Sequence, residues 1–569
     1  MTNQLIAEMF EKIADMLEIQ GESPFKVNAY RRGSRVILEL DENVETLMEQ
    51  GRLGDLPGIG EALKKKIEEY ITTGTMKKYE EVASQISESL LELLKIQNVG
   101  PRTVSLLRNK LGIESIEDLE SALRMGTLLQ LPGMGERKIE AIKKGVESYK
   151  QSKMRISIGF AYPIAQMLIA DLSSRVHCEM ISAAGSVRRM KETIGDIDIL
   201  VGNKDQAPVI DAFVNLPQAE RVLGAGDTKA SLIVSGGQQV DLRVVQPASF
   251  GAALQYFTGS QAHNIRLRGI ARKKGLKINE YGIYRNDIRI GGESEAEIYQ
   301  HLGLPWIPPE LREDRGEIEV AIDQKLPALV ELSDIKGDLH MHSIYSDGKS
   351  SIAEMASAAA QSGYDYIAIC DHSKAASYAH GLDEARLLKQ IEEIRQLNTR
   401  LTNIKILAGS EVDILPNGSL DISDDILAQL DIVVASLHSG FKQDVTGRIL
   451  AALENSYVDI ISHPTGRIIN KRDAYDVDLD AIFKKAAETG TALEINAYPD
   501  RLDLSDLNAR KAAAMGVLLV INTDSHHADH LGNMIFGVGN ARRAWLTRQQ
   551  ILNTKSYEQF RQWKSARKK

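Results

Sequence analysis

GSVRRMKETIGDIDILVG, residues 185–202, sets Asp196 and Asp198 at alternate positions of a run that is otherwise rich in Ile, Leu and Val. Side chains along a strand alternate faces, so this spacing predicts both carboxylates on one face. Two like charges that close are costly unless a divalent cation binds them. Asp241, in QQVDLRVVQ (238–246), is a third acid within a strand-like run. Three such carboxylates fit a two-ion site for in-line phosphoryl transfer, in which one ion activates a hydroxyl and the other clamps the leaving pyrophosphate. Upstream, Gly185 and Ser186 allow close approach to a phosphate, and Arg188 and Arg189 can neutralise it. Other β-branched runs, MISAAGS (180–186) and ASLIVSG (230–236), extend a mixed α/β pattern over about 155–315.

Beyond residue 336 the chain changes character. Nine of its twelve histidines lie between His340 and His530. Short apolar runs end abruptly in ligand-type residues: IKGDLHMHS with His340 and His342, YIAICDHS with Asp371 and His372, and IKILAGSEVDI with Glu411. IVVASLHSG follows with His438, VDIISHPTG with His463, ALEINAYPD with Glu494, and VLLVINTDSHH with Asp524 and His526. The markers 340, 372, 411, 438, 463, 494 and 524 stand 25 to 39 residues apart, about one strand–helix unit each. Repeated units of this kind closing into a barrel gather their strand C-termini at one face. Seven of them predict a seven-stranded variant. One H-x-H alone is weak; ligands ending every predicted strand are not.

Residues 1–150 read as helical, with apolar positions three and four apart in IAEMFEKIADMLEI. A short pattern recurs there: LPGIGEALKKKIEEYI (56–71), IQNVGPRTVSLLRNKL (96–111) and LPGMGERKIEAIKKGV (131–146). Gly58, Gly60, Gly100, Gly133 and Gly135 let the backbone turn with its N–H groups exposed, and the next helix adds its dipole, which suits contacts to a phosphate backbone. The formal charge of −9 gives no support for a nucleic-acid partner, but Ala262–Lys277 holds six basic residues and no acidic one. Hydrophobic content of 43% and charged content of 26% are those of a soluble globular chain. The acidic, amphipathic N-terminus does not read as a signal peptide, no apolar run is long enough to span a membrane, and Cys178 and Cys370 form no metal-spaced pair.

The recurring N-terminal pattern resembles the helix-hairpin-helix. The GS-x-x-R and GD-x-D segments resemble the nucleotidyltransferases, and YFTGSQAHNIRLR (256–268), NEYGIY (279–284) and LPWIPPELRE (304–313) narrow the likeness to family X DNA polymerases, the polymerase β group. That resemblance, over roughly 1–315, implies that Asp196, Asp198 and Asp241 hold two Mg²⁺ or Mn²⁺ ions. It implies that Gly185, Ser186, Arg189 and Gly195 serve the triphosphate; that Tyr256, Phe257 and Gly259 crowd the sugar edge; and that Asn264 and Arg268 meet the base and the template. His263 stands where the family usually has an aromatic, and the basic stretch becomes a DNA-facing helix. The N-terminal part resembles that family's 5′-deoxyribose-phosphate lyase, with Lys66 at the nucleophile position and Lys26 and Tyr30 in support. Ala62 replaces a supporting lysine, and a solvated helix face is the alternative for Lys66.

Residues 336–569 resemble the PHP (polymerase and histidinol phosphatase) domain. The likeness implies a cluster of up to three Mn²⁺ or Zn²⁺ ions held by His340, His342, Asp347, His372, Glu411, His438, His463, Asp524 and His526, with Asp371 and Glu494 supporting them. Arg467, Lys374 and Arg501 are candidate phosphate holders, with surface placement the alternative for each.

The expected organisation is multidomain: an α-helical lyase-like helix-hairpin-helix domain (1–85), helical fingers (86–150), an α+β nucleotidyltransferase palm (151–250), a thumb (251–315), a linker (316–335) and a distorted (β/α)7 PHP barrel (336–569). The expected function is a bacterial DNA polymerase that fills short gaps in repair and carries a metal-dependent 3′–5′ exonuclease, with abasic-site cleavage a further option. A small-molecule phosphatase or a purely structural PHP scaffold is the alternative. Expected partners are gapped or primed double-stranded DNA and dNTPs, not a membrane, with a monomeric protein in the bacterial cytoplasm, nucleoid-associated when on DNA.

Overall fold

The computed structural model describes residues 2–567 apart from 39, 41, 42, 57, 85, 97 and 154. The chain divides into two compact units: Met1–Met154 with Val234–Gln239 and Asn264–Lys277, and Arg155–Ile233 with Val240–His263 and Ile278–Lys569. Among the described residues no helix is long and apolar enough to cross a membrane.

The first unit is helical through residue 153. Apolar positions at helical spacing bury one stripe of each helix: Ile6, Phe10, Ile13 and Leu17 of Thr2–Ile19 pack with Ile37, Ile67, Leu107 and Ile142. Within it the three hairpin turns share one geometry. A left-handed residue (Gly58 at φ 99°, Asn98 at φ 70°, Gly133 at φ 76°) is followed two positions on by Gly60, Gly100 or Gly135, which opens a helix. Asn98 does in the second copy what glycine does in the others, as a short polar side chain can.

Three sheets matter to the sites. A five-stranded sheet contains Met180–Ala183, Ile197–Gly202, Gln239–Val245, Lys229–Val234 and Ala219–Ala225 as successive neighbours. The last of these has no strong sequence signal, being half exposed and interrupted by Gly224. Leu276–Asn279, Gly282–Arg285 and Ile288–Gly291 form a three-stranded sheet.

The C-terminal part is the expected barrel: Gly337–Met341, Tyr366–Ile369, Lys405–Asp413, Ile432–Ser436, Ile460–Ile461, Ala492–Asn496 and Leu519–Asn522 lie in sequence order in one seven-stranded sheet. Its neighbouring strands pair in parallel throughout the described residues. His342 N donates to Ser525 O at 2.8 Å and Met341 bridges Ser525, which nearly closes first strand onto last. All seven strands are buried on both faces, so they read as continuous apolar runs rather than alternating ones. Ile367 and Ile369 join the core beneath the helices, while Tyr366 and Ala368 join a second core closed by Leu552 and Phe560. The segment 316–335, read as a plain linker, is folded: Glu317–Ile322 is helical and Glu317 is fully buried.

Two candidate metal centres

The first centre forms where two parallel strands meet. Asp198 and Asp241 are direct register partners across Ile197–Gly202 and Gln239–Val245. Asp196 lies one residue before its strand rather than within it, yet one oxygen from each of the three carboxylates falls within 4.8 Å of the others. Burial and the charge of Asp241 raise the Asp196 carboxyl above its ordinary range. Burial and both neighbouring acids push Asp198 up to about 7, against the opposing pull of Arg189 and Lys229. A divalent cation would relieve such crowding of negative charge. Gly185 (φ 56°) approaches so closely that an added Cβ would stand 2.0 Å from Asp198 Oδ2.

Around this centre the phosphate-binding candidates part company. Gly185 and Ser186 lie in the short helix Gly185–Arg188, and Gly195 immediately precedes Asp196. Arg188 is committed elsewhere: Nη1 and Nη2 each donate to the Glu295 carboxylate at 2.7 Å, and Nη1 also donates to Thr258 Oγ1. Arg312 and Trp306 donate to the same carboxylate, so Glu295 accepts four bonds and fixes the Arg188 guanidinium in place. Arg189 is held at two edges: Nε donates to Glu313 at 3.0 Å and Nη1 to Thr258 O. Its Nη1 also lies against Gly259, where an added Cβ would meet it at 3.2 Å.

Tyr256 and Phe257 end the helix Phe250–Thr258 with their rings edge to face at 5.2 Å, and Arg243 covers Phe257. On Gln261–Lys273, Asn264 is buried and its carbonyl accepts from Arg268 Nε at 3.3 Å. The structure explains His263. Its ring is fully buried with Nδ1 2.6 Å from Glu317 and Nε2 3.0 Å from the Tyr299 hydroxyl, a polar core contact at the position where the resembled family usually has an aromatic. Glu317 was not singled out in the sequence, because its partner lies 54 positions away.

The second centre stands at the C-terminal ends of the barrel strands. Three overlapping groups each place their ligand atoms within 4.8 Å: His342, Asp347, His372 and His526; His340, His342 and Asp524; His372, Glu411 and His438. His463 Nε2 lies 3.1 Å from Glu411 Oε1, so all the expected ligand positions converge. Among the described residues the buried His340 Nε2, His342 Nδ1, His372 Nδ1 and His463 Nδ1 have no hydrogen-bond partner, though His372 Nδ1 stands 2.9 Å from Glu411 without the alignment of a bond. Unpaired buried imidazole nitrogens facing carboxylates are what a metal-binding cage offers. His463 (φ 25°) and Asp524 (φ 53°) hold left-handed backbone that non-glycine residues rarely adopt, strain concentrated at the site.

Charges here are strongly coupled. Burial opposes a proton on His438, but Glu411 and Asp413 outweigh it and raise the ring to about 10; in the same way Asp347 and Asp524 raise His526 to about 9. His342, buried and flanked by His526 and His372, falls to about 3. Supporting contacts fix the rings. Glu494 accepts from His340 Nδ1 at 2.8 Å, His463 N at 2.9 Å, Asn522 Nδ2 at 2.9 Å and Asn496 Nδ2 at 3.1 Å. Asp371 accepts from the main chain and hydroxyl of Ser343. Asp413, 3.2 Å from His438 Nδ1, was missed; its signal is the spacing of two from Glu411 on one strand. Of the cationic candidates, Arg501 stands 3.8 Å from Asp524, Lys374 is exposed, and Arg467 is held by Glu192.

In the first unit, Lys66 Nζ donates to Ala62 O at 3.0 Å and sits 5.9 Å from the Tyr30 ring centre. Burial, Lys78 and Lys26 lower its pKa. Gly60 and Gly100 open their helices with no side-chain cap, and a Cβ at either would meet nothing within 4 Å.

A paired-strand carboxylate triad and an imidazole-rich barrel centre in one chain define a polymerase β-like protein with a PHP domain. Family models agree: polymerase β thumb matches residues 253–313, PHP 338–498, a helix-hairpin-helix domain 1–76 and a helix-hairpin-helix tandem 90–147. The chain is 41% identical over 561 residues to the DNA polymerase/3′-5′ exonuclease PolX of Bacillus subtilis (strain 168), covering 97% of each, and it belongs to that family. A probable phosphatase of Thermoanaerobacter sp. (strain X514) is 32% identical over 38% of this chain and 89% of its own length. DNA polymerase lambda of Arabidopsis thaliana is 25% identical over 54% of this chain and 62% of its own.

Proposed function

We propose that this chain is a DNA-directed DNA polymerase that fills short gaps and carries a separate metal-dependent 3′–5′ exonuclease in its barrel. The observation that carries the reading is the pair of independent ligand clusters, one of carboxylates alone and one of mixed imidazole and carboxylate. The carboxylate triad suits two Mg²⁺ or Mn²⁺ ions; bound there, they supply charge neutralisation and activation of a primer hydroxyl. Asp198 and Asp241 stand in register, Gly185 leaves room beside them, and Arg189, fixed by Glu313, serves the incoming triphosphate. Tyr256, Phe257 and Gly259 bound the sugar, while Asn264 and Arg268 serve base and template.

The barrel's mixed ligands suit up to three Mn²⁺ or Zn²⁺ ions. Glu494 and Asp413 accept from the Nδ1 of His340 and His438, which leaves each Nε2 to face the cluster. Arg501, beside Asp524, is placed to hold a phosphate. The uncapped hairpin helices carry contacts to the DNA backbone, consistent with a chain of net charge −9. Lys66, with its depressed pKa beside Tyr30, supports a lyase step at 5′-deoxyribose-phosphate ends. The working form is a monomer of the bacterial cytoplasm acting on gapped or primed DNA.

A phosphatase reading of the barrel draws on the Thermoanaerobacter likeness, which covers 38% of this chain. One experiment separates them: the purified protein with 3′-labelled mismatched DNA and, in parallel, histidinol phosphate. Asp198→Asn is expected to abolish nucleotide incorporation, by roughly 10³-fold or more, and spare nuclease activity. His340→Ala is expected to do the converse. Loss of both activities in either folded variant would overturn the two-site reading.

A further inference from the structure

A buried ionic network joins Arg189, on the nucleotide side of the second unit, to its barrel. Arg189 Nε donates to Glu313 Oε1 at 3.0 Å, and Arg543 Nη1 donates to that same oxygen at 2.9 Å. Arg543 Nη1 also donates to the main-chain oxygen of Arg189 at 2.9 Å. Arg543 Nη2 and Arg315 Nη1 both donate to Asp506 Oδ2 at 2.9 Å. The Arg543 side chain is only 4% exposed, and those of Arg189 and Glu313 are 11% exposed.

Arg543 closes the helix Met534–Arg543, which packs on the barrel strands Ala492–Asn496 and Leu519–Asn522, whereas Arg189 and Glu313 belong to the polymerase part. Three guanidinium groups against two carboxylates leave the network one positive charge in excess. The two polar edges of Arg189 already in use, Nε on Glu313 and Nη1 on Thr258 O, orient the group beside Gly259. A single carboxylate oxygen shared by two guanidinium groups holds each of them in place. Without Arg543, Arg189 loses a restraint on its backbone and the anchor of its carboxylate partner together.

We propose that Arg543, contributed by the barrel, is a positioning residue for nucleotide incorporation: through Glu313 and the Arg189 carbonyl it aims the Arg189 guanidinium at the triphosphate of an incoming dNTP. This rests on Arg189 serving the triphosphate, as proposed above.

The test measures dNTP dissociation constants on a gapped, dideoxy-terminated primer, where no bond forms, alongside steady-state KM and kcat on the extendable primer. Arg543→Lys keeps a charge but cannot span Glu313, Asp506 and the Arg189 carbonyl at once. It is expected to raise the dNTP dissociation constant and KM at least about fivefold with kcat within about twofold, while hydrolysis of single-stranded DNA stays unchanged. Glu313→Gln is expected to match it, and the double variant to be no worse than the poorer single one, since both act through one contact. Arg189→Ala serves as the control. If it leaves dNTP affinity unchanged, the underlying reading fails. If it weakens dNTP while Arg543→Lys and Glu313→Gln do not, only the positioning proposal is overturned. Tighter dNTP binding by Glu313→Gln, or additive effects in the double variant, would also overturn it. Should Arg543→Lys not fold, as judged by its melt and nuclease activity, Glu313→Gln decides alone.

Discussion

At the residue scale, the close approach of Gly185 to Asp198 makes a sharp prediction. A Cβ 2.0 Å from Asp198 Oδ2 leaves no room for the carboxylate in its present position. Gly185→Ala is therefore expected to lose polymerase activity almost as completely as Asp198→Asn, with exonuclease rates retained; equal loss of both in a folded protein would contradict it. Glu494 makes a second. It reaches no cluster group except through His340 and the main chain of His463, so Glu494→Gln is expected to weaken barrel metal affinity by roughly 10- to 100-fold. Metal titration followed by exonuclease recovery measures this. A third concerns pH. Without metal, His438 and His526 are raised to about 10 and about 9, so both are protonated at neutral pH. Binding must displace those protons, and apparent metal affinity is expected to climb as pH rises from 6 to 9. Isothermal titration in buffers of different ionisation enthalpy would show the released protons; no release would sink the idea.

At the scale of elements, the hairpin turns separate shape from contact. Gly100 has ordinary extended backbone (φ −89°, ψ 172°) and open space around its missing Cβ, so folding does not require glycine there. Gly100→Glu is expected to melt like the parent yet bind gapped DNA roughly tenfold more weakly, about 1.4 kcal/mol, because a carboxylate would face the phosphates. Gly133 is the contrast: at φ 76° an alanine costs about 1 kcal/mol or more of stability. Thermal melts and fluorescence anisotropy distinguish the two. The repeated pattern was legible because all three copies keep the turn and the following helix. Asn98 was not, since nothing in IQNVGPR alone announces which residue turns left-handed.

At the scale of the whole molecule, the barrel centre should couple metal to stability. Ions that bind only the folded state stabilise it by mass action. Saturating Mn²⁺ is expected to raise the melting temperature of the parent and of Asp198→Asn by several degrees, and His340→Ala is expected to lose most of that shift. Differential scanning fluorimetry with and without a chelator checks it. Should Asp198→Asn abolish the shift instead, stabilisation would belong to the carboxylate triad.

The candidate ligands of both centres, the barrel and the helical hairpins were written in the linear order of residues. Metal chemistry admits few residue types, strand alternation fixes their spacing, and a strand–helix unit repeats at a nearly constant length. What Arg188, Arg189 and His263 do was decided only by tertiary packing. A buried guanidinium or imidazole takes whichever carboxylate the fold brings within reach, and Glu295, Glu313 and Glu317 arrive from 107, 124 and 54 positions away. Arg543 reaches the Arg189 carbonyl across 354 positions, a distance at which no periodicity survives in the sequence.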